Sequence, residues 1–333
     1  MKKISLFSAA FSVVAGAFLC APAQAAVTTL WVDGVSQSGG WYDANKANPN
    51  AADGDNNLCY AASASNLIAW WQSKYTVPTG TPNTLDAIWA RYKEGSNTDT
   101  GGDTGAAVQW WLTGVYMPTT TEEQERSIFG KSTSSTLNSF EGYYYDQCNL
   151  SRWSRKQYYE DADGKLYQVM YPKEVEAFLC TDYRPPSDPK DEAAYLRSIG
   201  SSMLELVGKG CGMGLSIAND AGSLAHAITL WGIEYDDTTN AISKLWLTDS
   251  DDAQYSLNQD GLFAVEVNET DGKLYISTPD SNWYTKDKKV YVDGIYAIDP
   301  SVSADWGLVP EPATATLSLL ALAALAARRR RKE

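Results

Sequence analysis

Histidine is nearly missing from this chain: 333 residues include one, His226. An imidazole is the commonest general base at neutral pH, so hydrolytic chemistry of that kind has to run through His226. Positive charge is scarce as well. There are 27 Lys and Arg against 41 Asp and Glu, a formal net charge of −14. Setting aside residues 1–25 and 309–333 leaves 20 basic and 39 acidic side chains, a net charge of −19. Such a surface repels phosphate backbones and excludes nucleic acid as a partner. No internal repeat is visible.

The two ends carry apolar stretches with charged flanks. Lys2 and Lys3, the stretch Ile4 to Leu19, and Ala23-Gln24-Ala25 read as a secretory signal peptide over residues 1–25. Leu19 is too bulky for a lipid-attachment pattern at Cys20, which is expected to leave with the signal. At the other end, Val309-Pro310-Glu311-Pro312 precedes the apolar run Ala313 to Ala327 and then Arg328 to Lys332. The basic cluster would hold this terminus on the cytoplasmic side of a membrane. The three parts in this order resemble the PEP-CTERM sorting signal of Gram-negative bacteria. The resemblance implies export, transient inner-membrane anchoring, and processing near Pro310 by an exosortase-type enzyme. The destination would be the periplasm or cell surface, or the medium after processing. Residues 26–304 are then one domain, and 305–333 the linker and sorting segment, in a chain long enough for a substantial core.

Cysteine is sparse too. Once Cys20 is set aside, Cys59, Cys148, Cys180 and Cys211 remain, in a compartment that permits disulfides. Cys148 with Cys180 is one pairing among those open, because connectivity cannot be read from sequence.

Helical periodicity is clearest after Cys59, where Ala61, Ala64, Ile68, Trp71 and Tyr75 recur at steps of three and four. Asp55 to Asn57 offer cap chemistry before it, and Val77-Pro78-Thr79-Gly80 a stop. Shorter helices are expected at Leu85–Lys93, Gly105–Leu112, Lys173–Cys180 and Glu192–Val207. The second half reads as strands at Met213–Ala218, Ala225–Tyr235, Ile242–Thr248, Leu262–Val267, Leu274–Ser277 and Val290–Ile298. Asp271-Gly272 marks a hairpin between two of them. Helices first and antiparallel strands later make an α+β fold.

A thiol at a helix start sits in the positive field of unpaired backbone N–H groups, which favours thiolate. Cys59 is so placed, although a buried structural cysteine would read the same way. His226 shares a strand face with Leu224, Ile228 and Leu230, as a core histidine would. If Tyr235 pairs with Ala241 around the intervening turn, His226 lies opposite Ser250, with Asp249 and Asp251 on either side. A one-residue bulge would bring either carboxylate directly across. Alone, Thr248-Asp249-Ser250-Asp251-Asp252 could equally be a solvated turn or a calcium loop, although it lacks the EF-hand spacing.

Taken together, these segments resemble a family. Gly40-Trp41-Tyr42-Asp43 with Lys46, Asn57-Leu58-Cys59 with Ala61-Ala62, and Asn66 with Trp70-Trp71 come first. His226, Ile228, Leu230-Trp231-Gly232 and Thr248-Asp249-Ser250-Asp251 follow. In this order they resemble the immunoglobulin-degrading cysteine endopeptidases of the IdeS/Mac family. The resemblance runs from Gly40 to about Ile298 and is poor between about Pro118 and Leu206. It implies a papain-like fold with Cys59 as nucleophile, His226 as base, Asp249 orienting the imidazole and Asp251 as a second acid. Lys46 would support the oxyanion hole beside the Cys59 backbone N–H. The implied activity is cleavage of a protein substrate without cofactor or metal. Immunoglobulin as the substrate does not carry over, because the poorly matched segment should hold much of the substrate-facing surface. Two other readings use the same residues. One is a transglutaminase-like acyl transfer, and the other a surface binding protein on an inactive peptidase fold.

Overall fold

The computed structural model describes residues 26–46, 55, 57–95, 102, 104–113, 142–144, 158–160, 166–168, 179–183, 189–222, 224–251, 261–277 and 289–301. The signal peptide, the sorting segment and Cys148 lie outside these residues, so the Cys148–Cys180 pairing is not described.

A first strand β1 (Val27–Trp31) precedes three helices, α1 (Cys59–Gln72), α2 (Leu85–Gly95) and α3 (Thr104–Thr113). Three short strands follow, β2 (Tyr158–Glu160), β3 (Leu166–Gln168) and β4 (Leu179–Tyr183). A long helix α4 (Pro189–Gly208) then leads into β5 (Gly212–Asn219), β6 (Ala225–Asp236), β7 (Ile242–Thr248), β8 (Phe263–Thr270), β9 (Lys273–Ser277) and β10 (Val290–Ile298). Helices and one large antiparallel sheet make the described fold α+β, as expected.

Two expectations need correction. Residues 179 and 180 form the start of β4, which pairs with β10, rather than the end of a helix from Lys173. Helix α1 stops at Gln72 instead of running through Tyr75: the Lys74 and Tyr75 N–H groups donate to the Trp71 and Gln72 carbonyls three residues back, a tighter turn that ends the α-helix. β1 to β4 were not anticipated. Short segments without clean alternation give no period to read.

The sheet closes on itself. β5, β6, β7, β8, β9 and β10 pair in sequence, and β10 pairs back to β5. β6 is long enough to take β5 along its first half and β1 along its last, with β7 on the opposite edge. It is therefore the strand on which the site depends.

Helix α1 packs across β5 and β6. Every one of its residues except Cys59 is buried, which explains its lack of an amphipathic stripe. Burial on all sides obliges its polar groups to find partners. Ser65 Oγ donates to the Ala61 carbonyl, and Gln72 Oε1 accepts from Trp111 Nε1 and Tyr144 Oη. Small residues allow the close approach. A Cβ on Gly212 would lie 2.6 Å from the Trp70 ring.

Candidate active site

Four segments converge at the N-terminus of α1: the helix start, the beginning of β6, the end of β7, and the stretch 41–46. Leu58 occupies the N-cap position with no side-chain cap, and no acidic residue sits in the first turn. The N-cap position thus falls on Leu58, just after the Asp55 to Asn57 segment. Asp55 instead accepts the Leu58 N–H with its backbone carbonyl. The helix N-terminus brings its partial positive charge to the Cys59 thiol. Cys59 is half-buried, the one side chain of α1 that reaches solvent.

The β6–β7 hairpin differs from the simple register. Tyr235 pairs with Ile242, not Ala241, and further shifts occur between Glu234 and Tyr235 and between Leu230 and Gly232. The two shifts are opposite in sense, so Thr229 faces Thr248 in the same register in which Tyr235 faces Ile242, one residue off the simple pairing. The result is that His226 Nε2 lies 2.8 Å from Asp249 Oδ1. The same Asp249 oxygen accepts the Asp251 backbone N–H at 3.0 Å. Both His226 and Asp249 are buried.

With Nε2 committed to Asp249, the neutral tautomer assigned from these partners carries its proton there and leaves Nδ1 as the basic nitrogen. Nδ1 is 3.9 Å from Asp251 Oδ2. A side-chain hydrogen bond joins His226 to Cys59, and the Ala227 backbone N–H adds another to the sulfur.

Charge follows this geometry. Burial alone would push the Cys59 thiol up. The His226 imidazolium, the hydrogen bond to it and the Lys46 ammonium outweigh burial and hold the thiol below its ordinary value. Burial would push His226 down, but the Asp249 carboxylate and the Cys59 thiolate raise it to about 10. Both shifts favour the thiolate–imidazolium form of the pair, the form in which a cysteine is nucleophilic.

Lys46 is buried, forms an ion pair with Asp251, and donates its backbone N–H to the Ser250 carbonyl at 2.9 Å. Ligand atoms of His226, Asp249 and Asp251 lie within 4.8 Å of one another, a spacing that could hold a metal ion. A divalent cation entering there would have to displace Lys46 from Asp251 and break the Asp249–imidazole bond. The residues suit an organic acid–base site better.

All five sequence-predicted residues, Lys46, Cys59, His226, Asp249 and Asp251, thus meet in one place. Asp251 meets Lys46 more closely than His226. A polar layer behind them escaped sequence reasoning. Asn66 Oδ1 accepts the Ala44 N–H at 2.8 Å, and Asn66 Nδ2 donates to Thr229 Oγ1 at 3.1 Å. Thr248 Oγ1 donates to the Tyr42 carbonyl and accepts from Trp231 Nε1, each at 2.9 Å. Ser63 Oγ donates to the Ile228 carbonyl at 3.1 Å. The available signal was the spacing of Cys59, Ser63 and Asn66, which puts three polar groups on one face of an otherwise apolar helix.

A half-buried thiol at a helix N-terminus, a buried imidazole and a carboxylate bonded to it have the arrangement that a Cys-His-Asp nucleophilic site requires, here on an α+β frame. Residues 28–78 match the family model described as Mac 1, a span that contains Lys46, Cys59 and Asn66. The resemblance read from the sequence is borne out over that span, and His226, Asp249 and Asp251 lie beyond it. Residues 308–332 match the model described as the PEP-CTERM protein-sorting motif, which points to export and exosortase-type processing. No curated protein sequence matches the chain. Among the described residues no helix is long and apolar enough to cross a membrane; the apolar run 313–327 lies outside them.

Proposed function

We propose that this chain is an exported cysteine endopeptidase with a papain-like catalytic domain over residues 26–304. The observation that carries the reading is the convergence of Cys59, His226 and Asp249, with His226 Nε2 taken by Asp249 and its other nitrogen left for the thiol. The nucleophile helix packed across an antiparallel sheet supports the papain-like frame, as does the Mac 1 match.

In this mechanism the Cys59 thiolate attacks the scissile carbonyl carbon, forming an Sγ–C bond. The carbonyl oxygen becomes an oxyanion, which the Cys59 backbone N–H and the Lys46 ammonium stabilise. The imidazolium of His226 gives its Nδ1 proton to the leaving nitrogen as the C–N bond breaks, and a thioester remains. Water then attacks the thioester, giving one proton to His226. The acid product leaves, and the thiolate–imidazolium pair is restored. Asp249 keeps the ring oriented through both steps and does not itself take the proton.

The test uses a peptide library digested with the full chain and read by mass spectrometry, with Cys59→Ala as control. New peptide termini that require Cys59 are expected. Amide cross-links to an added amine with no new termini would instead indicate acyl transfer. No Cys59-dependent product of either kind would favour a binding protein.

A further inference from the structure

Asn66 sits two turns after Cys59 in α1, where a buried amide in an apolar helix needs a reason. Its three polar contacts run to three different segments. Oδ1 takes the Ala44 N–H, and Nδ2 reaches Thr229 Oγ1 on β6 and Thr248 Oγ1 on β7, the latter at 3.5 Å. Thr248 Oγ1 also holds the Tyr42 carbonyl. The stretch 42–46 is thus pinned at Tyr42 by Thr248, at Ala44 by Asn66, and at Lys46 by the Ser250 carbonyl. It forms no helix or strand of its own, so these bonds fix where the Lys46 ammonium is delivered.

We infer that Asn66 is a positioning residue for the oxyanion side of the site, acting through Lys46 by tying its loop to the nucleophile helix and to the strands that carry His226 and Asp249. The inference rests on the peptidase reading. Asn66 touches neither the thiol nor the imidazole; its bond to Ala44 leads to the loop that delivers Lys46, and its bonds to Thr229 and Thr248 anchor that loop to the strands. Replacing it by Ala frees Ala44, one of the three points that hold the stretch, and loosens the placement of the ammonium against Asp251 and the site. Buried amides of this kind also support the fold, so the readout must separate that role from delivery of Lys46.

The experiment labels Cys59 with iodoacetamide in the reduced full chain over a range of pH and quantifies it by mass spectrometry. Four forms are compared: the natural chain, Asn66→Ala, Lys46→Met, and the double variant. In the natural chain Cys59 is expected to label well below the ordinary thiol pKa of about 8.5. Asn66→Ala is expected to slow labelling near pH 6 by about tenfold, the effect of a one-unit rise in thiol pKa. The double variant should label no more slowly than Lys46→Met alone, because the two residues act in series.

Additive losses in the double variant would overturn the inference, since Asn66 would then act on the fold at large. Low-pH labelling in the natural chain that Asn66→Ala leaves unchanged would also overturn it, while leaving the peptidase reading intact. Labelling of the natural chain only at ordinary thiol pH would sink the peptidase reading itself. If Asn66→Ala does not fold, Thr248→Val goes through the same cycle, with the same result expected and the same additive result overturning it.

Discussion

Cys59 and His226 could be picked out from sequence because each is singular in its way. One opens the clearest helix, and the other is the chain's lone imidazole. Asp249 and Asp251 were visible only as a pair. Their division of labour, one on His226 and the other on Lys46, depends on a hairpin register that sequence does not fix. Asn66 gave no sign of its role, because an amide in an apolar helix reads as a mild propensity defect. At this scale, Cys59→Ala and His226→Ala should abolish peptide cleavage while circular dichroism stays unchanged. Unfolding of either variant would make them core residues first. Asp249→Asn should reduce cleavage strongly but not completely, since it disturbs orientation and leaves the nucleophile. Lys46→Met should lower turnover by about 10²–10³, the usual cost of one oxyanion donor, with the thermal midpoint measured alongside. Cleavage rate against pH should rise as Cys59 ionises below the ordinary thiol value. It should fall again as His226 loses its proton near about 10, because the leaving amine needs that proton.

Among the elements, the β6–β7 hairpin carries the most consequence. Alternating apolar residues and a polar turn made both strands legible, yet the expected pairing of Tyr235 with Ala241 is off by one. Two opposed bulges cancel along the pair, and the geometry of His226 and Asp249 follows the register that remains. Gly232 lies at this irregularity and faces Trp31 of β1. A Cβ there would come within 2.6 Å of the Trp31 ring and 3.2 Å of the Leu30 carbonyl. Gly232→Ala should therefore destabilise the protein by about 1–3 kcal/mol, the usual cost of overpacking, measured by denaturant titration. An unchanged midpoint would mean that β1 simply moves aside. The start of α1 shows the opposite kind of miss. Asp55 to Asn57 look like the cap residues, but the N-cap position falls on Leu58, an apolar residue that no cap pattern would select.

For the molecule as a whole, the same pair of ionisations couples activity to stability. His226 has a folded pKa raised from 6.5 to about 10, so its contribution is complete below 6.5 and is lost as pH rises through about 10. Cys59 has a folded pKa below its ordinary 9.0, so its contribution grows with pH and is complete above 9.0. Between these limits the two slopes oppose each other. Above 9.0 only the loss from His226 remains. The thermal midpoint should accordingly drop between about pH 9 and 10 by more in the natural chain than in a Cys59→Ala, His226→Asn variant. Equal drops would mean that the pair is not linked to folding. The α+β class was legible from element order, since helices and strands segregate along the chain. Closure of the sheet by β10 on β5 was not, nor the addition of β1 to β6 and of β4 to β10, because these pairings join distant parts of the sequence.

The most direct test of the central claim is the pH dependence of Cys59 alkylation in the natural chain and in His226→Ala. An activated thiolate–imidazolium pair predicts rapid labelling well below the ordinary thiol pKa of about 8.5, and a return toward that value when His226 is removed. Labelling that rises only near about 8.5 in both proteins would contradict it, and would leave a peptidase-like frame around an ordinary thiol.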